Sequence, residues 1–135
     1  MTTDRLDQTR DLFANLAQGR QDQFFAHVAD DVDWTVMGTH PLAGRYLSKD
    51  AFFSATFARL NPRLREGVVL EVEHVFLDGD WAIVELLATS TQNNGRPFAN
   101  KYCWLCRFSG GQIVEVRAYL DSALVAEVID SNEGP

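Results

Sequence analysis

Beyond Gly67 the chain is cut by three turn signals, Asp78-Gly79-Asp80, Gln92-Asn-Asn-Gly-Arg-Pro97 and Ser109-Gly110-Gly111, and apolar residues alternate with polar ones between them. A period of two between such turns marks strands, whose successive side chains point to opposite faces. Val68 to Leu77 and Trp81 to Thr89 therefore pair as a hairpin across Asp78-Gly79-Asp80. Phe98 to Phe108 and Gln112 to Asp121 pair likewise across Ser109-Gly110-Gly111. A bulge at that second turn would switch which faces pair, and the residues leave this open.

Helices come first. Asp4 to Ala17 carries Leu6, Leu12, Phe13, Leu16 and Ala17 along a helical stripe, with Thr3 as N-cap and Gly19 as the stop. Gln21 to Val28 reads as a second short helix with Phe24, Phe25 and Val28, and with His27 in a structural role. Asp31 to Met37 alternates as a strand, Gly38 to Tyr46 is a loop, and Ser48 caps a third helix closed by Asn61-Pro62. Ser122 to Ile129 is a short helix or turn, and Ser131 to Pro135 should fray. Helices followed by long antiparallel strands make an α+β domain, not an alternating α/β one. A flat sheet of this length would leave one face bare. The sheet is therefore expected to curl round the N-terminal helices and enclose a pocket. The 135 residues suit one domain, residues 1–135, without repeats or linkers.

Composition narrows the partners. A formal charge of −7 without a basic cluster argues against nucleic acid. No apolar run reaches the ~18 residues of a membrane span, and Met1-Thr-Thr-Asp-Arg5 lacks the order of a signal peptide, so a cytoplasmic protein is expected. Cys103-Trp-Leu-Cys106 matches C-x-x-C, but it lies inside a strand, where residues three apart face opposite ways. Two ordinary strand cysteines follow. His27, His40 and His74 lack the i, i+4 spacing of a metal site, and neither a phosphate loop nor a nucleophile elbow occurs. No metal and no cofactor are implied.

Ala29-Asp30-Asp31-Val-Asp-Trp34, then Pro41-Leu-Ala-Gly44 before a helix, then Phe108-Ser-Gly-Gly-Gln-Ile113 followed by Arg117-Ala-Tyr119-Leu-Asp121, resemble the nuclear transport factor 2-like superfamily. The branch is that of SnoaL-like and ketosteroid-isomerase-like proteins, and the resemblance covers nearly the whole chain. It implies a cone-shaped curved antiparallel sheet wrapped around N-terminal helices, a cystatin-like α+β barrel, commonly homodimeric through the sheet's outer face. The superfamily hosts isomerases, epoxide hydrolases, cyclases, dehydratases and non-enzymes, so the fold does not decide the function. By this resemblance the Tyr and the two acids of ketosteroid isomerase fall at Leu12, Val36 and Trp104. The Arg-x-Asp and the further Asp of limonene epoxide hydrolase fall at Trp81-Ala82-Ile83 and Ala118. Both catalytic sets are missing.

Strand parity then nominates pocket residues. The first hairpin puts Val72, His74 and Phe76 on one face with Trp81, Ile83 and Glu85, and Glu71, Glu73 and Leu77 on the other with Ala82, Val84 and Leu86. The first set holds the larger apolar residues and matches the inward parity that the resemblance implies. His74 and Glu85 then meet inside an apolar cavity, either as a catalytic acid/base couple or as a structural ion pair. On the next strand Asn100, Tyr102, Trp104, Cys106 and Phe108 share the face expected to be interior. Trp34, Tyr102 and Trp104 form an aromatic wall for a flat or hydrophobic ligand, or pack as core. Asn100 either orients a ligand carbonyl or binds a loop. The resemblance favours Val116, Ala118 and Leu120 inward, with Glu115, Arg117 and Tyr119 outward. Asp121 either caps the following segment or reaches the pocket mouth. His40 and Tyr46 lie in the loop, and Phe53 on the helix, at the expected entrance.

Two classes of function follow. One is a small-molecule-binding protein acting as a cofactor-independent isomerase, cyclase or lyase on a hydrophobic or aromatic substrate. The other is a non-catalytic module that binds a ligand or dimerises through its outer sheet face. An enclosed cavity with acid and donor favours the first; a cone filled by its own aromatics favours the second.

Overall fold

A computed structural model describes residues 4–132. The first helix, α1 (Arg5–Ala17), begins where the Asp4 carboxylate accepts the Leu6 amide at 3.1 Å. The cap expected at Thr3 lies outside the described residues. α2 (Gln21–Phe25) is one turn shorter than its pattern predicts, because Val28 opens strand β1 (Val28–Val36) instead of closing the helix. Within the expected loop a short β2 (Gly44–Tyr46) pairs back on β1.

The third helix is capped by Ser48, whose hydroxyl accepts the Ala51 amide at 3.0 Å. It then breaks into α3 (Lys49–Ala55) and α4 (Phe57–Leu60), followed by a 3-10 turn at Asn61–Arg63. The break is at Thr56, which leaves helical geometry at φ −123° and ψ −82° while its hydroxyl bonds the Phe52 carbonyl at 2.8 Å. A side chain that back-bonds to its own helix in this way competes with the ladder and bends it.

β3 (Leu70–Asp78) and β4 (Trp81–Ala88) form the predicted hairpin, with Asp78 opposite Trp81 and Gly79 at φ 58° in the two-residue turn. A small hairpin, β5 (Ser90–Thr91) and β6 (Pro97–Phe98), forms a separate sheet. β7 (Lys101–Ser109) and β8 (Gln112–Leu120) follow, and α5 (Ser122–Ser131) starts under an Asp121 cap that accepts the Leu124 amide at 3.2 Å. The bulge left open by the sequence exists, between Arg107 and Phe108.

The order β2-β1-β8-β7-β4-β3 gives a curved, unclosed six-stranded sheet, so the α+β expectation holds. The sheet is mixed, since β1 runs parallel to β8.

One expectation fails by a face. β4 buries Ala82, Val84, Leu86 and Ala88 and leaves Trp81, Ile83 and Glu85 half-exposed. The reason lies in volume. The concave side is filled from the helices by Phe13 and Phe24, whose rings stand 6.1 Å and 6.3 Å from that of Trp104. Trp104 faces Val84 on one neighbouring strand and Ala118 on the other, so small residues flank the largest side chain. Size along β4 alone was therefore a misleading guide to its inner face.

Candidate functional site

The concave face of β1, β7 and β8 meets α3, α4 and α5 around an apolar cavity of about 40 Å³. Trp34, Tyr102, Trp104 and Phe52 form its aromatic wall, with Val36, Leu42, Thr56, Leu60, Ala118, Leu120 and Val125 completing it. Trp34 stacks on Phe52 at 3.8 Å and 18°, and meets Trp104 edge-on at 5.2 Å and 82°. Val36, Trp104 and Ala118, three of the positions at which the resemblance placed catalytic acids, stand on this wall, whereas the fourth, Ile83, lies on the opposite face of the sheet.

Among the described residues, no carboxylate, imidazole or amine lines the cavity. Its polar groups are a phenol, an alcohol and two indoles. The Thr56 hydroxyl is spent on Phe52. The Nε1–H groups of Trp34 and Trp104 are buried and have no hydrogen-bond partner among the described residues. Leaving a buried donor unpaired costs about 1–3 kcal/mol, so the closed packing carries a penalty that an acceptor would relieve. Burial pushes the Tyr102 phenol well above its ordinary range, and the adjacent Asn100 side chain offsets this only partly.

The other predicted residues separate. Asn100 is fully buried and clamps Asp121, accepting its amide at 3.0 Å and donating to its carbonyl at 3.4 Å. Asp121 is the α5 cap and not a pocket group. His40, buried in the β1–β2 loop, bonds the Met37 carbonyl through Nε2 at 3.0 Å and accepts the Leu42 amide at Nδ1 at 3.2 Å. Both ring nitrogens are thus committed to shaping the loop that places Leu42 on the wall. The Tyr46 hydroxyl donates to the Leu42 carbonyl at 2.9 Å from the same side. Phe53 packs on Phe25 and Phe57 and faces an outer groove with Lys49 and Asp50, away from the cavity.

His74 and Glu85 do pair, at 3.1 Å, but their side chains are 66% and 46% exposed on the convex face. The expectation that they line the interior is corrected. Glu85 sits opposite Cys103 on β7, one residue out of phase with Trp104, so Glu85 and Trp104 cannot share a face. Around the pair the convex face is apolar, with Phe76 53% and Tyr119 47% exposed beside half-buried Ile83 and Leu105. Arg107 and Arg117 both bond Glu115 there, and Arg117 lies 5.0 Å from the Trp81 ring. Cys106 is buried and Cys103 half-buried on opposite faces, so they are free thiols.

Larger hollows exist, two of them of about 630 Å³. The one between α1 and the β7–β8 turn shares no residue with the aromatic wall. Among the described residues no group of three or more His, Cys, Asp or Glu is placed to hold a metal ion. Among the described residues no helix is long and apolar enough to cross a membrane.

Residues 9–116 match the family described as SnoaL-like domain. The chain belongs to this family. Its fold is that of the nuclear transport factor 2-like superfamily, ketosteroid-isomerase-like proteins included. Among curated proteins, this SnoaL-like domain is 32% identical over 127 residues to the dimerizing cyclase phiC of a fungal species, covering 91% of this chain and 56% of that protein. It is 30% identical over 113 residues to the dimerizing cyclase tstC of Talaromyces stipitatus, covering 81% and 50%. The chain thus spans about half the length of these curated relatives. Among solved structures, an NTF2-like protein from Burkholderia thailandensis superposes with a TM-score of 0.78 at 24% identity, covering 95% of this chain and 98% of that one.

The wall residues that parity missed are Phe52, Thr56, Leu60 and Val125, contributed by helices, together with Val36 on β1 and Leu42 in the loop. Phe52 sits on a legible helical stripe. Thr56 gave no signal, because its place on the wall follows from a helix break that only the packed structure reveals.

Proposed function

We propose that this SnoaL-like domain takes a small, largely apolar molecule with a carbonyl-type oxygen into the aromatic cavity and promotes cofactor-independent ring closure or isomerisation by hydrogen-bond donation. One observation carries the reading: the cavity wall offers buried donors, two of them unpaired, and neither acid nor base. Fixed donors in a dry site act most strongly on an oxygen that gains negative charge during reaction. Tyr102 suits this role because burial keeps its hydroxyl protonated. Proton removal then falls to the substrate's own groups or to water. The names of the two fungal relatives, both cyclases, support ring closure as the reaction type.

The same reading includes a homodimer joined through the convex face. Its support is the apolar cluster of Phe76, Ile83, Leu105 and Tyr119, rimmed by charged pairs, together with the word "dimerizing" in the relatives' names. A cytoplasmic location accords with two free thiols. His74 and Glu85 have no part in the chemistry.

Calorimetric titration with 2-acetylnaphthalene and 2-ethylnaphthalene, alike in shape and differing in the carbonyl, tests the cavity chemistry. The ketone should bind about tenfold more tightly, as one or two recovered hydrogen bonds allow. Tyr102→Phe should reduce that preference in part, leaving the share due to the Trp34 and Trp104 indoles, and Glu85→Gln should leave it intact. Equal affinities for the two probes in the wild-type protein would overturn the reading.

A further inference from the structure

A cavity of about 40 Å³ holds a few waters, whereas a site for a drug-sized molecule needs ~300–1,000 Å³. Something in the wall must move. The strands are held by ladders on both sides, and α3 and α4 are pinned through Phe52, Phe57 and Leu60 in the core. α5 is held differently. Val125 and Val128 of its ten residues are fully buried, Leu124 and Ile129 pack partly buried against the core, and Val125 is its one contribution to the cavity wall. The matched family region ends at residue 116, so this helix lies beyond it.

Polar contacts at the two ends of α5 hold it down. At its start, Asn100 grips both the amide and the carbonyl of Asp121. Beside that clamp the chain passes so close at Gly38 that a Cβ there would collide with the Ser122 hydroxyl, and Gly38 has φ +111°. At its far end the buried Asn132 donates to the Gln92 side chain at 2.8 Å and accepts the Asn94 amide at 2.9 Å. Gln92 in turn donates to Glu127 at 3.0 Å, and Arg96 meets Glu127 at 3.1 Å. The β5–β6 turn thus acts as a catch for the end of the helix, separate from the main sheet. Polar bonds that water can replace open more easily than an apolar interlock, and segments held so occupy the low-stability end of native openings.

From this arrangement we infer that α5 is a lid over the aromatic cavity, hinged at the Asn100–Asp121 clamp and latched by Asn132 and Glu127 to Gln92 and Arg96. This rests on the cavity being the ligand site. Release of the latch withdraws Val125 from the wall and bares the unpaired indole donors of Trp34 and Trp104 to an entering acceptor. The two helix ends have unequal roles: the clamp keeps the hinge in place, and the catch sets how often the lid opens.

Hydrogen exchange of the two indole protons, followed by NMR across low urea concentrations without any ligand, tests the lid. After correction for intrinsic rates, the Trp34 and Trp104 indole protons should exchange at least tenfold faster than the backbone amides of Val84 and Trp104, with a shallower urea dependence. Asn132→Ala should raise the indole rate about tenfold with the slope still shallow. Indole protons that exchange only with the sheet amides, at the same steep slope, overturn the lid even if the naphthyl ketone binds. An Asn132→Ala protein whose indole rate matches the wild type overturns the latch. Failure of the ketone to bind leaves both readouts standing, so the two readings fail separately.

Discussion

The concave and convex faces of the same three strands use similar residue types to opposite ends. Inward, Val84, Trp104 and Ala118 stand in one cross-strand row, closed off from water. Outward, one residue along, Glu85, Cys103 and Tyr119 stand in the next row, with His74 completing it. The inner polar groups are nearly all donors, two of them unpaired. The outer ones come as bonded partners: His74 with Glu85, and Arg107 and Arg117 with Glu115. An imidazole beside a carboxylate is therefore available on the outer side, and hydrogen-bond donation on the enclosed side. Which face a residue occupies, more than its type, decides what chemistry it can do.

The widest separation between the faces should appear in stability. Trp104→Ala removes a fully enclosed indole from the meeting point of Phe13, Phe24 and Trp34 and should cost roughly 3–5 kcal/mol in urea unfolding. Ile83→Ala, half-exposed on the other side, should cost under about 1 kcal/mol. A loss at Ile83 as large as that at Trp104, and growing with protein concentration, would mean the convex face is buried between subunits and not free.

Alkaline pH separates the faces next. Burial raises the Tyr102 phenol and the Cys106 thiol above their ordinary values of 10.0 and 9.0. In the unfolded chain these groups ionise at those ordinary values, while in the native core they stay protonated. The stability they contribute is therefore complete below about pH 9 and is lost as pH rises past 9 and then 10. Cys103 is raised too, by partial burial and then by Glu85, but it keeps access to water. Cys106→Ala with Tyr102→Phe should flatten the decline in melting temperature between pH 9 and 11, and Cys103→Ala should barely alter it. The reverse ranking would mean that β7 presents its other face to the core.

Much of this was legible in the sequence, and its limits have physical causes. The hairpins, the Ser48 cap and the pairing of His74 with Glu85 followed from turn chemistry and period-two alternation, which act over neighbouring residues, and the Asp121 cap was one of two readings that the sequence left open. The inner face of β7 followed too, since Tyr102, Trp104 and Cys106 outweigh Lys101, Cys103 and Arg107 in apolar character. The inner face of β4 did not, because both of its faces are largely apolar and the choice depends on volume supplied by α1 and α2. The lid contacts were also out of reach. Gln92 and Asn132 lie 40 residues apart, and each reads as an ordinary polar residue near a turn.

The smallest effect concerns the pair that parity assigned to the interior. His74 and Glu85 lie 3.1 Å apart with both side chains largely in solvent, where Coulomb attraction is weak and ordering two side chains offsets much of it. A double-mutant cycle with His74→Ala and Glu85→Ala should return a coupling of about 0–1 kcal/mol in the monomer at ordinary salt, shrinking further as salt is raised. The cycle also bears on assembly. If the convex face is covered by a second copy, the same two side chains leave water, and a buried pair broken from one side costs far more than an exposed one. Coupling that climbs to several kcal/mol at high protein concentration, and falls back on dilution, would place this pair inside a subunit contact. Coupling that stays below about 1 kcal/mol at every concentration would leave it a solvated ornament of the outer sheet and would move the dimer contact away from Phe76 and Tyr119.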